Sequence, residues 1–174
     1  MRTGPRNFAS PEWLILIGGV AFIFVLAISA YFEPDIRALH FFQAWMYLAA
    51  MGLSFRHNRW GHFIGLSAAG LWNYANLFVT TFFVGGLQQA AAWMRTGHLD
   101  RPDLFIAVPA WLSNLLVICG CVWAYSRLRE RQPVDVWKFV LAFALTTAFF
   151  AADVALFQPR YLGLFPRLLH PHLP

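Results

Sequence analysis

The chain has 174 residues, 59% of them hydrophobic and 12% charged, with a formal net charge of +5 and a mean hydropathy of +0.54. Soluble domains carry about 25% charged and about 45–50% apolar residues, so this composition excludes an ordinary soluble domain and points to a membrane protein. The basic residues stand in short clusters between apolar runs, which fits topology signals and not a nucleic-acid surface.

A membrane-spanning helix needs about 20 predominantly apolar residues. Five runs meet that requirement, at about 13–32, 38–55, 61–86, 104–126 and 137–157. The predicted fold is therefore all-α, a single transmembrane domain over residues 1–174 built as a bundle of five helices.

The first run, WLILIGGVAFIFVLAISAYF, contains no charge and follows Arg2 and Arg6. Its apolar core exceeds the roughly 7–15 residues of a signal peptide, so it is expected to be a retained span, ended by Pro34. The second run places His40, Gln43, Tyr47 and Ser54 on one face at helical spacing. The third contains LWNYANLFVTTFF, residues 71–83, where Asn73, Asn76 and Thr80 fall within about 60° of one another on a helix. The same face continues as Ala69, Gly65 and Gly61 at four-residue steps, a small-residue seam that lets another backbone approach closely. Gly85–Gly86 is expected to end this span, with LQQAAAWMRTGHL following as a short interfacial helix.

Pro102 and Asp103 open the fourth run, where proline suits an early helical position and an acid suits the positive end of the helix dipole. Within it lie Pro109, Trp111 and Asn114. Cys119 and Cys121 follow, diverging by about 200° on a helix, and are expected to be small buried apolar residues. Pro133 and Asp135 open the fifth run, which carries a lone acid, Asp153, in AFFAADVALF. The tail, residues 158–174, is too broken by proline to span and is expected to lie along the interface.

With five spans, Arg2 and Arg6, Arg56 and Arg59, and Arg127, Arg129, Arg131 and Lys138 all fall on one side. Arg37, Arg95, Arg101, Arg160 and Arg167 fall on the other, interleaved with Glu33, Asp35, Asp100 and Asp103. The positive-inside rule then predicts a cytoplasmic N-terminus and an external C-terminus in an inner (cytoplasmic) membrane.

Counted from the cytoplasmic ends, Gln43, Asn73 and Asn114 lie about 18 Å deep, His40 and Asn76 about 22 Å, and Asp153 about 24 Å. Four spans thus place polar residues in one layer. Trp72 and Trp111 lie deeper than the belt tryptophans Trp13, Trp60 and Trp137. The candidate ligand-binding set is His40, Gln43, Tyr47, Trp72, Asn73, Asn76, Trp111, Asn114 and Asp153, with Gly61, Gly65 and Ala69 as a helix-packing seam. The competing reading makes the amides interhelical glue, worth about 0.6–2 kcal/mol each. Asp153 resists that reading, because a buried acid in a span is costly unless paired, neutral or wet.

No metal site or named cofactor follows. Only His40 lies well within a span, so a bis-histidine haem lacks its second imidazole, whereas a chlorin needs a single axial ligand. His98, His170 and His172 bring no cysteine or methionine cluster with them. Ser67 lies about 120° from the polar stripe, and Lys138, the only lysine, lies at a membrane face and not inside the bundle. Three functions are compatible with this sparse chemistry. The favoured one is an accessory subunit of a larger membrane complex, in contact with lipids and other membrane subunits and holding a lipid, quinone or pigment. The others are a carrier or sensor of an apolar molecule, and a membrane enzyme acting on a lipid or isoprenoid through His40 and Asp153.

Overall fold

The computed structural model describes residues 10–128 and 130–164. Arg2, Arg6, Arg129, Arg167, His170, His172 and the tail from 165 onward lie outside the described residues. The described chain is all-helical: α1 (Pro11–Phe32), α2 (Arg37–Phe55), α3 (Arg59–Tyr74), α4 (Phe82–Thr96), α5 (Pro102–Phe105), α6 (Ala107–Ser126) and α7 (Val134–Phe157). A 3-10 turn, Pro34–Ile36, leads into α2, a π-helical turn, Ala75–Val79, extends α3, and a 3-10 stretch, Pro159–Leu164, follows α7.

Three segments are long and apolar enough to cross a membrane, namely α1, α5–α6 (Pro102–Ser126) and α7, and a fourth qualifies if α3 and α4 are one broken span. Helix α2 has the length, 19 residues, or about 28 Å, but His40, Gln43 and Ser54 dilute its apolarity. This is the first departure from the expected five equal spans.

The second departure lies in the third span. Residues 61–86 do not form one rod. The helix bends by 75° between Val79 and Phe82, at Thr80–Thr81 and not at Gly85–Gly86. Thr80 N–H reaches back to the Ala75 carbonyl at 2.9 Å, and Thr80 then adopts an extended conformation. Its hydroxyl donates to the Asn76 carbonyl and accepts from Phe82 N–H, both at 3.4 Å. A β-branched residue that offers its own hydroxyl to the backbone favours such a break. Thr80 therefore leaves the helical stripe on which Asn73 and Asn76 sit. Gly86 is buried inside α4, where a Cβ would stand 2.8 Å from the Leu104 carbonyl oxygen, so the glycine pair seats α4 on α5. Helix α4 ends at Gly97, whose φ of 69° is the left-handed cap that glycine favours.

Two sets of contacts fix the helix directions. At one face Arg59 at the start of α3 meets Asp135 at the start of α7 at 2.8 Å, and Glu12 at the start of α1 meets His57 at 3.6 Å. At the opposite face the Gln158 amide, just past α7, donates to the Asp35 carbonyl at 2.6 Å. Helices α1, α3 and α7 thus run one way, and α2 and α6 the other. Among the described residues, Arg56, Arg59, Arg127, Arg131 and Lys138 gather at the first face, while Arg37, Arg95, Arg101 and Arg160 stand at the second.

Packing is closest where side chains are smallest. A Cβ on Gly18 would fall 2.6 Å from the Ser113 carbonyl oxygen, and one on Gly120 would fall 2.9 Å from Ile15 N, so α1 and α6 touch backbone to backbone. On α3, a Cβ on Gly61 would strike the Ser54 backbone of α2, and one on Gly65 would fall 2.8 Å from Cys121 Sγ of α6. Ala69, the third residue of that stripe, is fully buried. Cys121 is buried, but Cys119 is exposed and free, contrary to expectation, because only one of two residues at i, i+2 can face the core. At the centre Phe22 packs between Tyr47, tilted at 4.4 Å, and Trp72, edge-to-face at 5.0 Å. Helix α7 is the peripheral member and buries only a narrow line, Asp135, Ala142, Thr146 and Asp153.

Candidate functional site

The half of the bundle away from the Arg59–Asp135 pair contains an open cavity of about 480 Å³. Its origin is the bend at Thr80–Thr81: α4 leaves the bundle, and the outer space that a straight third helix would fill stays empty. Val25 and Leu26 of α1, Ala107 and Ala110 of α6, and Phe150 and Val154 of α7 give apolar walls, with Trp72 from α3. Tyr161 and Leu164, from the stretch after α7, reach the mouth.

Few polar groups interrupt these walls. His40 Nδ1 donates to Gln43 Oε1 at 3.1 Å, and its Nε2 faces Ser29 Oγ of α1 at 3.1 Å. All three residues line the cavity. Both ring nitrogens of His40 are thereby engaged, and α1 is tied to α2 at this depth. Asn76 also lines the cavity. It is 4% exposed, and neither its Oδ1 nor its Nδ2 has a hydrogen-bond partner. Buried amides are nearly always paired, so Asn76 is a polar group awaiting a partner.

The other expected site residues divide into three groups. Tyr47 and Asn114 bond to each other, the phenol donating to Asn114 Oδ1 at 2.6 Å, while Asn114 Nδ2 donates to the Ala110 carbonyl at 3.1 Å. This buried pair holds α2 to α6 and is not among the cavity-lining residues. Asn73 and Asp153 are buried without lining the cavity; Asn73 Oδ1 and both Asp153 oxygens have no hydrogen-bond partner. Asp153 therefore makes no hydrogen bond to His40. Trp111 does not reach the cavity. It packs on Phe83 of α4, ring centroids 5.1 Å apart, because the expected depth was right for a pocket but its direction on α6 is toward α4.

Three participants escaped the sequence reading. Ser29 was readable in principle, since it lies at the same end of α1 as His40 does of α2. Thr147 and Ala151 of α7, both lining the cavity, carry no signal in the sequence, because their facing depends on how a nearly uniformly apolar helix is rotated. At the opposite face a smaller cavity of about 260 Å³ is bordered by Glu12, His57, His62 and Arg127. There His62 Nδ1 lies 3.2 Å from Ser54 Oγ. Among the described residues no cluster of three or more His, Cys, Asp or Glu could hold a metal ion.

The Tyr47–Asn114 bond gives a direct test of the packing. Tyr47→Phe should lower thermal stability in detergent by about 1–2 kcal/mol, because Asn114 Oδ1 is left buried and unpaired. Adding Asn114→Leu should restore part of that loss, and a melting series on the two single variants and the double variant measures the coupling.

No protein-family model, no curated protein and no solved structure matches the chain.

Proposed function

We propose that the chain is a small five-span protein of the cytoplasmic membrane, N-terminus inside, that holds an apolar, lipid-like molecule in the cavity beside Asn76. The observation that carries this reading is the cavity itself. At about 480 Å³ it falls in the range of small-molecule sites, about 300–1,000 Å³, and it has their character of apolar walls with a few placed polar groups. Its mouth opens beside the stretch after α7, at the end of the bundle where that stretch meets the α1–α2 turn.

The fifth span is α2, whose polar side chains Gln43 and Ser54 are turned into the bundle, where they do not meet lipid. The gathering of basic residues at the Arg59–Asp135 face supports placing that face inside. The accessory-subunit reading rests on the exposed apolar side of α7, including Val136, Trp137, Leu145 and Leu156. Lipid chains cover such a side equally well, so the cavity is the stronger guide. An acid–base role for His40 and Asp153 is less well supported, since the two are not hydrogen-bonded and His40 is committed to Gln43 and Ser29.

Purification in a mild uncharged detergent, followed by native mass spectrometry and solvent extraction, tests the proposal. The expected result is an apolar small molecule retained by the parent protein and lost from Ala151→Trp. This variant fills the cavity from the peripheral helix and should leave the melting temperature of the empty protein within a few degrees. Equal retention by parent and variant, with no lipid-like compound raising the parent's melting temperature, would overturn it.

A further inference from the structure

The polar contacts at the cavity wall are arranged for more than tying α1 to α2. We infer that Ser29, His40 and Gln43 form a serine-hydrolase triad that cleaves the carboxylic ester of a lipid lodged in the cavity; the inference rests on the ligand-holding reading above. The three side chains stand in the order such chemistry needs, nucleophile, base and orienting acceptor. Ser29 Oγ lies 3.1 Å from His40 Nε2, and His40 Nδ1 lies 3.1 Å from Gln43 Oε1. An amide oxygen only accepts, so this bond assigns the imidazole proton to Nδ1. Nε2 is then free to take the proton of the Ser29 hydroxyl. All three residues line the cavity, and Ser29 is only partly buried.

The direction of the hydroxyl sets Ser29 apart. Helical serines and threonines commonly return the hydroxyl to a carbonyl one turn back. Ser113 does so to Pro109 at 2.6 Å, Thr147 to Phe143 at 2.8 Å and Thr96 to Ala92 at 3.0 Å. Ser29 reaches across to α2. The other serine–histidine contact, Ser54 with His62, lacks two features of this one. Ser54 is 0% exposed, and no side chain among the described residues bonds the second nitrogen of His62. Asn76 supplies the remaining part. Ser29 stands 17 residues beyond Glu12, and Asn76 stands 17 beyond Arg59. Helices α1 and α3 run in the same direction from that face, so both residues lie about 26 Å along, at one level of the cavity that both line. Asn76 Nδ2 has no partner, and an unpaired amide donor at the level of the nucleophile is what a developing oxyanion requires.

The apolar walls hold the acyl chain. Ser29 Oγ bonds to the ester carbonyl carbon and gives its proton to His40 Nε2. The carbonyl oxygen takes up the electron pair and accepts from Asn76 Nδ2. When the pair returns, the bond to the alcohol oxygen breaks and His40 protonates the leaving alcohol. Water enters at the mouth, beside the exposed Glu33. It gives a proton to His40 and its oxygen to the acyl carbon, and His40 returns the proton to Ser29 as the acid departs. Ester and water become acid and alcohol.

The test uses the purified full chain in uncharged detergent with two probes. One is an octyl fluorophosphonate, whose phosphorus a serine attacks with loss of fluoride; the other is p-nitrophenyl octanoate. Intact mass is expected to show a single adduct, peptide mapping to place it on Ser29, and the ester to be turned over. Ser29→Ala should take no label. His40→Ala should slow both reactions about 100-fold or more, and Asn76→Leu should lower kcat about 100-fold with little change in KM. Gln43 is a positioning residue: Gln43→Leu should lower kcat, while Gln43→Glu, which still accepts from His40 Nδ1, should keep it. A packing role alone would move the melting temperature and not kcat. A folded parent unlabelled at Ser29, or label and turnover that survive His40→Ala, would overturn the triad. If that parent still retains a lipid-like molecule in native mass spectrometry, the cavity reading stands; if it retains none, both fall. Should a variant not fold, the mapped site of the label and ester turnover by the parent decide.

Discussion

Replacing Gly18 or Gly120 with leucine is expected to abolish the folded bundle, and alanine at either position should already cost about 1–3 kcal/mol. The reason is geometric. A Cβ on Gly18 would lie 2.6 Å from the Ser113 carbonyl oxygen and 2.9 Å from Val117 N, both backbone atoms of α6. A Cβ on Gly120 would meet Ile15 N of α1 at 2.9 Å. Backbone cannot step aside as a flexible side chain can, so the helices must separate. That separation forfeits close contact along the interface that α1 and α6 share on both sides of these glycines. Gly52→Leu and Gly70→Leu are the controls, since a Cβ at either meets nothing within 4 Å. Size-exclusion profiles and thermal melts in one detergent make the comparison. Parent-like melting of Gly18→Leu would mean that α1 and α6 do not pack as described.

The second large effect is expected at the Arg59–Asp135 face, where charge and not volume is at stake. Asp135 is 1% exposed and accepts from Arg59 Nη1 through both its oxygens, at 2.8 and 3.0 Å. It also accepts from Gln132 N–H at 3.0 Å. Arg59 in turn donates Nη2 to the Glu130 carbonyl at 2.6 Å, so one side chain joins α3 to the turn before α7. Lys138 Nζ stands 3.7 Å from the same carboxylate but makes no hydrogen bond to it, so removing either Arg59 or Asp135 takes away the other's main partner, the costly way to break a buried pair. The losses in melting temperature of Asp135→Ala and Arg59→Ala taken singly should therefore sum to more than the loss of the double variant. The double variant should lie close to the worse single one. Strict additivity in that cycle would show that the pair contributes nothing to holding α7 in place.

These two sites also show what the sequence makes legible. The apolar runs gave α1, α6 and α7 nearly whole, because a membrane span is a property of one segment and needs no knowledge of its neighbours. The Gly61–Gly65–Ala69 stripe was visible for the same reason, being a periodicity within one helix. Gly18 and Gly120 carry no such pattern. Each matters because of the backbone that faces it, and pairing between helices cannot be read from one helix. Asp135 reads as an acid suited to a helix start, which it is, while its bonds to Arg59 depend on α3 and α7 running parallel in register. In the third span the local signal for flexibility is the glycine pair, Gly85–Gly86. The chain bends at Thr80–Thr81, where a hydroxyl satisfies the interrupted backbone and α4 finds a seat against Leu104. The polar layer was legible as a depth. Its division into a satisfied pair at Tyr47–Asn114, a cavity wall at His40, Gln43 and Asn76, and an unpaired acid at Asp153 depends on helix rotation, which four nearly uniform apolar faces leave undetermined.

The inward polar stripe of α2 has a consequence for how the chain is made. On the five-span reading, α2 lacks the apolarity to enter a bilayer unaided, and α3 reaches it only together with α4. Gln43, Tyr47 and Ser54 are at home only once α3 and α6 stand beside them. When α2 leaves the ribosome, α6 has not yet been synthesised. The partners at hand are α1, already inserted, and α3, next in line and joined to α2 by the short turn through His57. Insertion should therefore proceed by delivery of α2 and α3 as one antiparallel hairpin against α1, with α2 waiting at the translocon until its partner arrives.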